Sequence, residues 1–296
     1  MKILAIDVGG TFTKYAIIDE KLNITNKDKT KTIANSLDNY LKMLVSIYGQ
    51  FKGQVEGIAF SMPGVIDTKA GYFYTGGSFD NIVHEINLKK ELEKYIDVPM
   101  SFGNDAKCAA NAELGFGVLK DVNQAIVYVI GTAIGGALIN NHKVIEGPNH
   151  SCGEFSYIIL NSNNINKENS LSFKGGSIGL ASLVKEETDI EDVPDGHTIF
   201  DKAINGDEKY LKALRRYGKE LALSIYNLNC IFDSEVVAIG GGVSKQELLF
   251  KVIEEGFDEI EKDFGFLLHR PKIVACKYHN DANLIGAYYK FLMENK

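Results

Sequence analysis

The chain has 296 residues, 45% of them hydrophobic, and a net charge of −7. That is enough chain for two domains and enough apolar material for a large core, and the acidic balance, without a Lys/Arg run interleaved with aromatics, argues against a nucleic-acid ligand. Four scattered cysteines, Cys108, Cys152, Cys230 and Cys276, form no CxxC; they read as reduced thiols in a cytoplasmic protein rather than as a disulfide framework.

The opening apolar run is broken by Asp7, too early for a signal peptide, and no later segment reaches membrane-spanning length. Residues 3–8 read as a buried strand and 12–19 as a second, so Gly9 and Gly10 fall in the turn of a β-hairpin. The stretch DVGGTFTK lacks the lysine spacing of a P-loop. Leu37, Leu41, Leu44, Tyr48 and Phe51 recur at helical spacing, a strand over 55–61 runs into SMPGVID, a helix is expected over 87–95, and a short strand over 99–102. In GNDAKCAANAELGFG, either Asn104 or Asp105 can cap a helix that ends at Gly115 or Gly117. A domain boundary is placed there.

The second half begins as the first does. QAIVYVIGTAIGGALIN is an apolar strand, a glycine-rich turn over 131–136 and another apolar strand, a weak internal repeat. A polar loop is expected over 161–172, a long helix over 207–232, a strand in EVVAIGGGVS that runs into three glycines, a strand over 272–276 and a last helix over 282–293. Three glycine-rich turns at strand ends have a common explanation in a phosphate ligand, because glycines let backbone N–H groups approach an anion closely. Phosphate held from both halves means a nucleotide in a cleft between two domains.

Taken in order, DVGGTFTK, GND, GTAIGG, GEFSY and IGGGVS span essentially the whole chain, and this set resembles the ROK family of bacterial sugar kinases (repressors, open reading frames and kinases). The resemblance implies an α/β, actin-like ATPase (ribonuclease H-like) fold with two α/β domains flanking an ATP and sugar cleft. Residues 1–117 would form the sugar and phosphate side, 118–281 the nucleotide and dimerisation side, and the 282–296 helix would pack back on the first domain. It also implies a cytoplasmic homodimer using ATP and Mg²⁺, with no nucleic-acid or membrane partner. Asp7 would sit near the Mg²⁺ and phosphates; Gly9, Gly10, Thr11 and Lys14 would hold the terminal phosphates, and Gly131, Thr132, Gly135 and Gly136 the second phosphate turn. Gly240, Gly241 and Gly242 would contact the adenosine side. Asp105 would be the general base, and Gly64, Asn104, Asp105, Glu154 and Tyr157 would bind the sugar. The expected reaction is phosphoryl transfer to the 6-hydroxyl of a hexose, glucokinase-like, with N-acetylmannosamine and β-glucosides as alternative acceptors.

The match departs from the family at several points. Ala133 replaces a glycine of the usual GTGIGG. Tyr157 stands where the GExGH motif has its histidine, and NKENSLSFKGGSIGLAS, where further zinc ligands are usual, has no Cys or His. A tetrahedral zinc site cannot assemble from these residues; His150 and Cys152 alone lack partners. The second sugar-binding glutamate is missing too, and the pattern resembles a zinc-free branch. With a strand expected from residue 3, the helix-turn-helix module of the family's repressors is not expected here. A non-catalytic sugar-binding protein is the other class of reading, against which stand Asp7, Asp105 and Glu154 together.

Overall fold

The computed structural model describes residues 1–160 and 162–295; Asn161, where the loop expected over 161–172 begins, and Lys296, at the end of the 282–296 segment, lie outside the described residues. The chain divides into unit 1, Met1–Gly117 with Glu146–Cys152 and Asp281–Lys296, and unit 2, Val118–Ile145 with Gly153–Asn280. Among the described residues no helix is long and apolar enough to cross a membrane.

Unit 1 is built on a five-stranded sheet of β1 (Lys2–Val8), β2 (Phe12–Asp19), β3 (Ile24–Lys31), β4 (Gly57–Met62) and β8 (Met100–Asn104), in the order β3-β2-β1-β4-β8. β1 pairs antiparallel with β2 and parallel with β4, which is in turn parallel to β8. Apart from Lys2, the central strands β1 and β4 are buried throughout, as expected of strands covered on both faces. β3 escapes the sequence reading because ITNKDKTK has no apolar alternation and is mostly exposed; it is a lysine-bearing edge strand held by its pairing with β2. Helix α1 (Leu37–Gly49) is capped by Ser36. A small sheet of β5 (Ile66–Asp67), β6 (Tyr72–Phe73) and β7 (Ile86–Asn87) follows β4. The helix expected over 87–95 shortens to α2 (Leu88–Leu92), with Asn87 as its cap.

Helix α3 (Asp105–Phe116) follows β8, and the last helix, α9 (Ala282–Glu294), packs on it. The approach is very close: a Cβ on Gly286 would lie 1.6 Å from the Cys108 carbonyl oxygen. Asp281 aside, the expected 118–281 domain differs from unit 2 in residues 146–152, which group with unit 1. They are fastened there by polar contacts, Thr68 Oγ1 donating to both Glu146 carboxylate oxygens at 2.9 Å and Lys107 Nζ donating to the His150 carbonyl at 2.8 Å. Nothing in the local sequence pattern signals such contacts.

Unit 2 repeats the arrangement of unit 1. Its sheet comprises β9 (Ala125–Ile130), β10 (Ile134–Asn140), β11 (Lys143–Val144), β12 (Val236–Gly241) and β13 (Lys272–Ala275), in the order β11-β10-β9-β12-β13. Again a hairpin opens the sheet and two parallel strands extend it. Helices α4 (Leu171–Gly175), α5 (Ser177–Thr188) and α6 (Gly196–Ile204) occupy sequence in which no helix is expected. The long α7 (Glu208–Phe232), capped by Asp207, packs on α8 (Glu247–Phe264).

Candidate active site

In unit 1, the turn between β1 and β2 closes through a Gly9 N–H bond to the Phe12 carbonyl at 3.1 Å, and Thr32 Oγ1 donates to the Gly9 carbonyl at 2.7 Å. Gly10 and Thr11 are exposed at its tip. Asp7, one residue before the end of β1, is buried. Its Oδ1 accepts from Ser61 Oγ at 3.0 Å and from Asn283 Nδ2 at 2.9 Å, while Lys14 Nζ stands 3.9 Å from Oδ2. Burial pushes the Asp7 carboxyl above the usual range, against the opposing pull of Asn283, Lys14 and Ser61. The result is a buried acid with, among the described residues, one loose cationic partner.

Strand register carries this acid toward the GND motif. Asp7 pairs with Ser61, Ser61 with Gly103 and Met62 with Asn104. Asp7 and the Asn104–Asp105 pair therefore stand at the carboxyl edge of the same parallel strands, two strands or roughly 10 Å apart. In open α/β sheets this edge is where ligands bind.

Between the two capping candidates the structure decides clearly. Asn104 caps α3, its Oδ1 accepting from the Lys107 N–H at 3.2 Å, and its Nδ2 donates to the Gly64 carbonyl at 3.1 Å. One amide hydrogen and one lone pair remain to it. Asp105 is the first residue of the helix, and the Ala106 N–H donates to its Oδ1 at 2.8 Å. Gly64 is required where it stands: its φ is +111°, and a Cβ would meet the Thr75 carbonyl oxygen at 2.1 Å.

In unit 2, the turn after β9 is shorter than the sequence suggests. It consists of Gly131, Thr132 and Ala133, with the Gly131 N–H donating to the Ala133 carbonyl at 3.0 Å. Gly135 and Gly136 belong to β10, and Gly136 lies against the Phe155 ring, 2.1 Å from where its Cβ would be. Packing thus explains Gly136 without a ligand. The start of α5 lies on this turn, its Ser177 N–H donating to the Gly131 carbonyl at 2.9 Å. Gly240 and Gly241 end β12, and Gly241 pairs with Ile130, so the two glycine corners are neighbours at the carboxyl edge of this sheet. Glu154 is half-buried, directly before the 3₁₀ turn Phe155–Tyr157, while Tyr157 is 75% exposed. Among the described residues no three His, Cys, Asp or Glu side chains are placed to hold a metal ion.

Sequence reasoning missed Ser61, Asn283 and Ser177. Ser61 sits in a strand whose burial is all that its sequence announces, and Asn283 is 276 positions away from the acid it touches. Ser177 opens a helix that carries no side-chain cap bond to mark its start.

The ROK family profile matches residues 3–294 of the chain. An uncharacterized protein of Clostridium perfringens is 32% identical over 97% of this chain and 96% of its own. A β-glucoside kinase of Listeria monocytogenes is 28% identical over 99% of this chain and 98% of its own, and a glucokinase of Halalkalibacterium halodurans is 27% identical over 86% and 84%. Among solved structures, a ROK family protein from Streptococcus pneumoniae in complex with sucrose superposes with a TM-score of 0.88 at 28% identity, over 100% of this chain and 99% of that one. With two sheets of the same strand order and a family match along nearly its full length, the chain belongs to the ROK family and has its actin-like ATPase fold.

Proposed function

We propose that this ROK-family sugar kinase transfers the γ-phosphoryl group of ATP to the 6-hydroxyl of a hexose, with glucose as the core acceptor. The observation that carries the reading is the row of groups along the carboxyl edge of the unit 1 sheet, where Asp105 follows an asparagine that already caps the helix. Asp105 thus stands at this edge without serving as the helix cap. In the reaction Asp105 takes the proton of the attacking hydroxyl as the new O–P bond forms and the bond to the β-phosphate oxygen breaks, releasing ADP. Asn104 and Glu154 hold ring hydroxyls through their acceptor and donor atoms, and Gly64 shapes the turn against which the sugar rests.

The Gly9–Gly10–Thr11 turn and Lys14 hold the terminal phosphates, and the Gly131–Thr132 turn with the Gly240–Gly241–Gly242 corner holds the rest of the nucleotide. Gly10 and Gly242 have no heavy atom within 4 Å of where a Cβ would be, so their backbones are open to a ligand. Asp7 fits a Mg²⁺–phosphate complex, being a buried carboxyl whose cationic partner among the described residues is a lysine at 3.9 Å. Mg²⁺ supplies charge neutralisation for the transferring phosphoryl group.

A second reading, with β-glucosides as acceptors, is favoured by the relatives that bear that name. Measuring ADP release with glucose, mannose, N-acetylmannosamine, N-acetylglucosamine and cellobiose separates the readings. Turnover with none of these sugars, under conditions where ATP binds, would sink the kinase assignment.

A further inference from the structure

A file of aromatic rings crosses unit 1 beside the Gly64 turn. Tyr72 and Tyr74 meet edge to face, with centroids 5.1 Å apart, and Tyr74 stacks on the His150 imidazole at 5.7 Å and 21°. The file is fastened to both acceptor elements. The Tyr74 N–H donates to the Val65 carbonyl at 2.9 Å, and the Val65 N–H donates to Thr75 Oγ1 at 3.2 Å, next to Gly64. Lys107, in the first turn of α3 that Asp105 opens, donates through Nζ to the His150 carbonyl at 2.8 Å.

His150 is held there at a cost. Its φ is +58°, in the left-handed region that non-glycine residues rarely occupy. Among the described residues its buried Nδ1 has no hydrogen-bond partner, and the Asp67 and Glu146 carboxylates approach the ring only to 3.9 and 4.0 Å. A strained histidine with an unsatisfied ring nitrogen, laid flat on a tyrosine that is 45% exposed, does not improve the fold. What it does provide is a ring that backs the exposed Tyr74 beside the Gly64 turn.

We propose that Tyr74 and His150 form a stacking platform for the aglycone ring of a glycoside, so that the site prefers a hexose unit carrying a second ring over one carrying a small aglycone. The inference rests on the acceptor reading above. Aryl rings and the C–H faces of pyranoses are flat and apolar, and they stack on tyrosine and imidazole faces while polar edges stay wet. Stacking of this kind contributes roughly three- to tenfold in affinity.

The test compares phenyl β-D-glucoside with methyl β-D-glucoside on the full-length protein and on Tyr74→Ala and Tyr74→Phe. The phenyl-to-methyl ratio of kcat/KM should be about fivefold or more in the unsubstituted protein, fall toward unity in Tyr74→Ala, and persist in Tyr74→Phe, which keeps the ring. Because the readout is a ratio, losses common to both glucosides cancel. A ratio of one at the start, or one that survives Tyr74→Ala, overturns the platform. Calorimetric binding of the same two glucosides supplies the ratio independently of turnover. Absence of ADP release with any sugar therefore counts against the kinase reading, whereas equal binding of the two glucosides, or none, counts against the platform.

Discussion

The side-chain amide of Asn283, in the last helix, donates a 2.9 Å hydrogen bond to Oδ1 of Asp7, in the first strand. Together with Ser61 it fixes one carboxylate oxygen and so determines where the other points. Asn283→Leu removes a hydrogen bond to a charged group without adding charge, and such bonds contribute about 1.5–3 kcal/mol. The expected outcome is a loss of about tenfold or more in kcat/KM for MgATP, with the KM for sugar little changed. Kinetics at varied MgATP would reject the positioning role if the two proteins agreed within twofold.

Asp105→Asn should leave a folded protein, because the helix cap belongs to Asn104 and an amide oxygen can still accept from the Ala106 N–H. A general base contributes about 10²–10⁴ in rate. The turnover number should fall by that range while calorimetry still records sugar binding. Turnover within a few-fold of the unsubstituted protein would remove Asp105 from the mechanism.

How much of this was legible in the sequence depended on whether local pattern or distant packing fixed each feature. β1 and β2 announced themselves because buried strands are written in continuous or alternating apolar residues. β3 did not, since an edge strand exposed along most of its length takes its conformation from its neighbour. The GND motif marked a helix start but left open which of Asn104 and Asp105 caps it; the bond from the Lys107 N–H to Asn104 Oδ1 gives the cap to Asn104. The glycines of GTAIGG looked alike in sequence, yet Gly131 shapes a turn while Gly136 makes room for Phe155. Asn283 was beyond reach, because no local signal links a last helix to a first strand.

Two glycines that look interchangeable in sequence should fail in opposite ways. A Cβ at Gly10 meets nothing within 4 Å and its φ is unexceptional, so Gly10→Val should fold with an unchanged melting temperature and lose nucleotide affinity. At Gly241, φ is +99° and a Cβ would lie 2.0 Å from the Ile130 carbonyl oxygen, so Gly241→Ala should be destabilised by about 1–3 kcal/mol before any ligand is added. Thermal melts with and without ATP distinguish the two. A Gly10→Val protein that binds ATP normally would count against the phosphate turn.

The ionic contact between α9 and residues 146–152 predicts a pH dependence. Lys290 Nζ donates to Glu146 Oε1 at 2.8 Å and pairs with Glu294 at 3.0 Å. Burial by itself would raise the Glu146 carboxyl, but the Lys290 charge and hydrogen bond, with Thr68 and Lys107, outweigh it and hold the group below its ordinary value of 4.5. A carboxyl depressed in the folded state stabilises the protein above its unfolded value, and that contribution is lost as pH falls below about 4.5 toward the folded value. Lys290→Met strips away the principal cation, so Glu146 should protonate at higher pH in the folded protein and less of its acid-labile stability should remain to be lost. At neutral pH the variant should be destabilised by about 1–3 kcal/mol, because a partly buried carboxylate loses its closest cation and keeps the Thr68 hydrogen bonds and the more distant Lys107. Melting temperatures between pH 3 and 7 should therefore differ most at neutral pH and converge on acidification. Two curves that stay parallel over the whole range would show that this ion pair does not govern the acid limb.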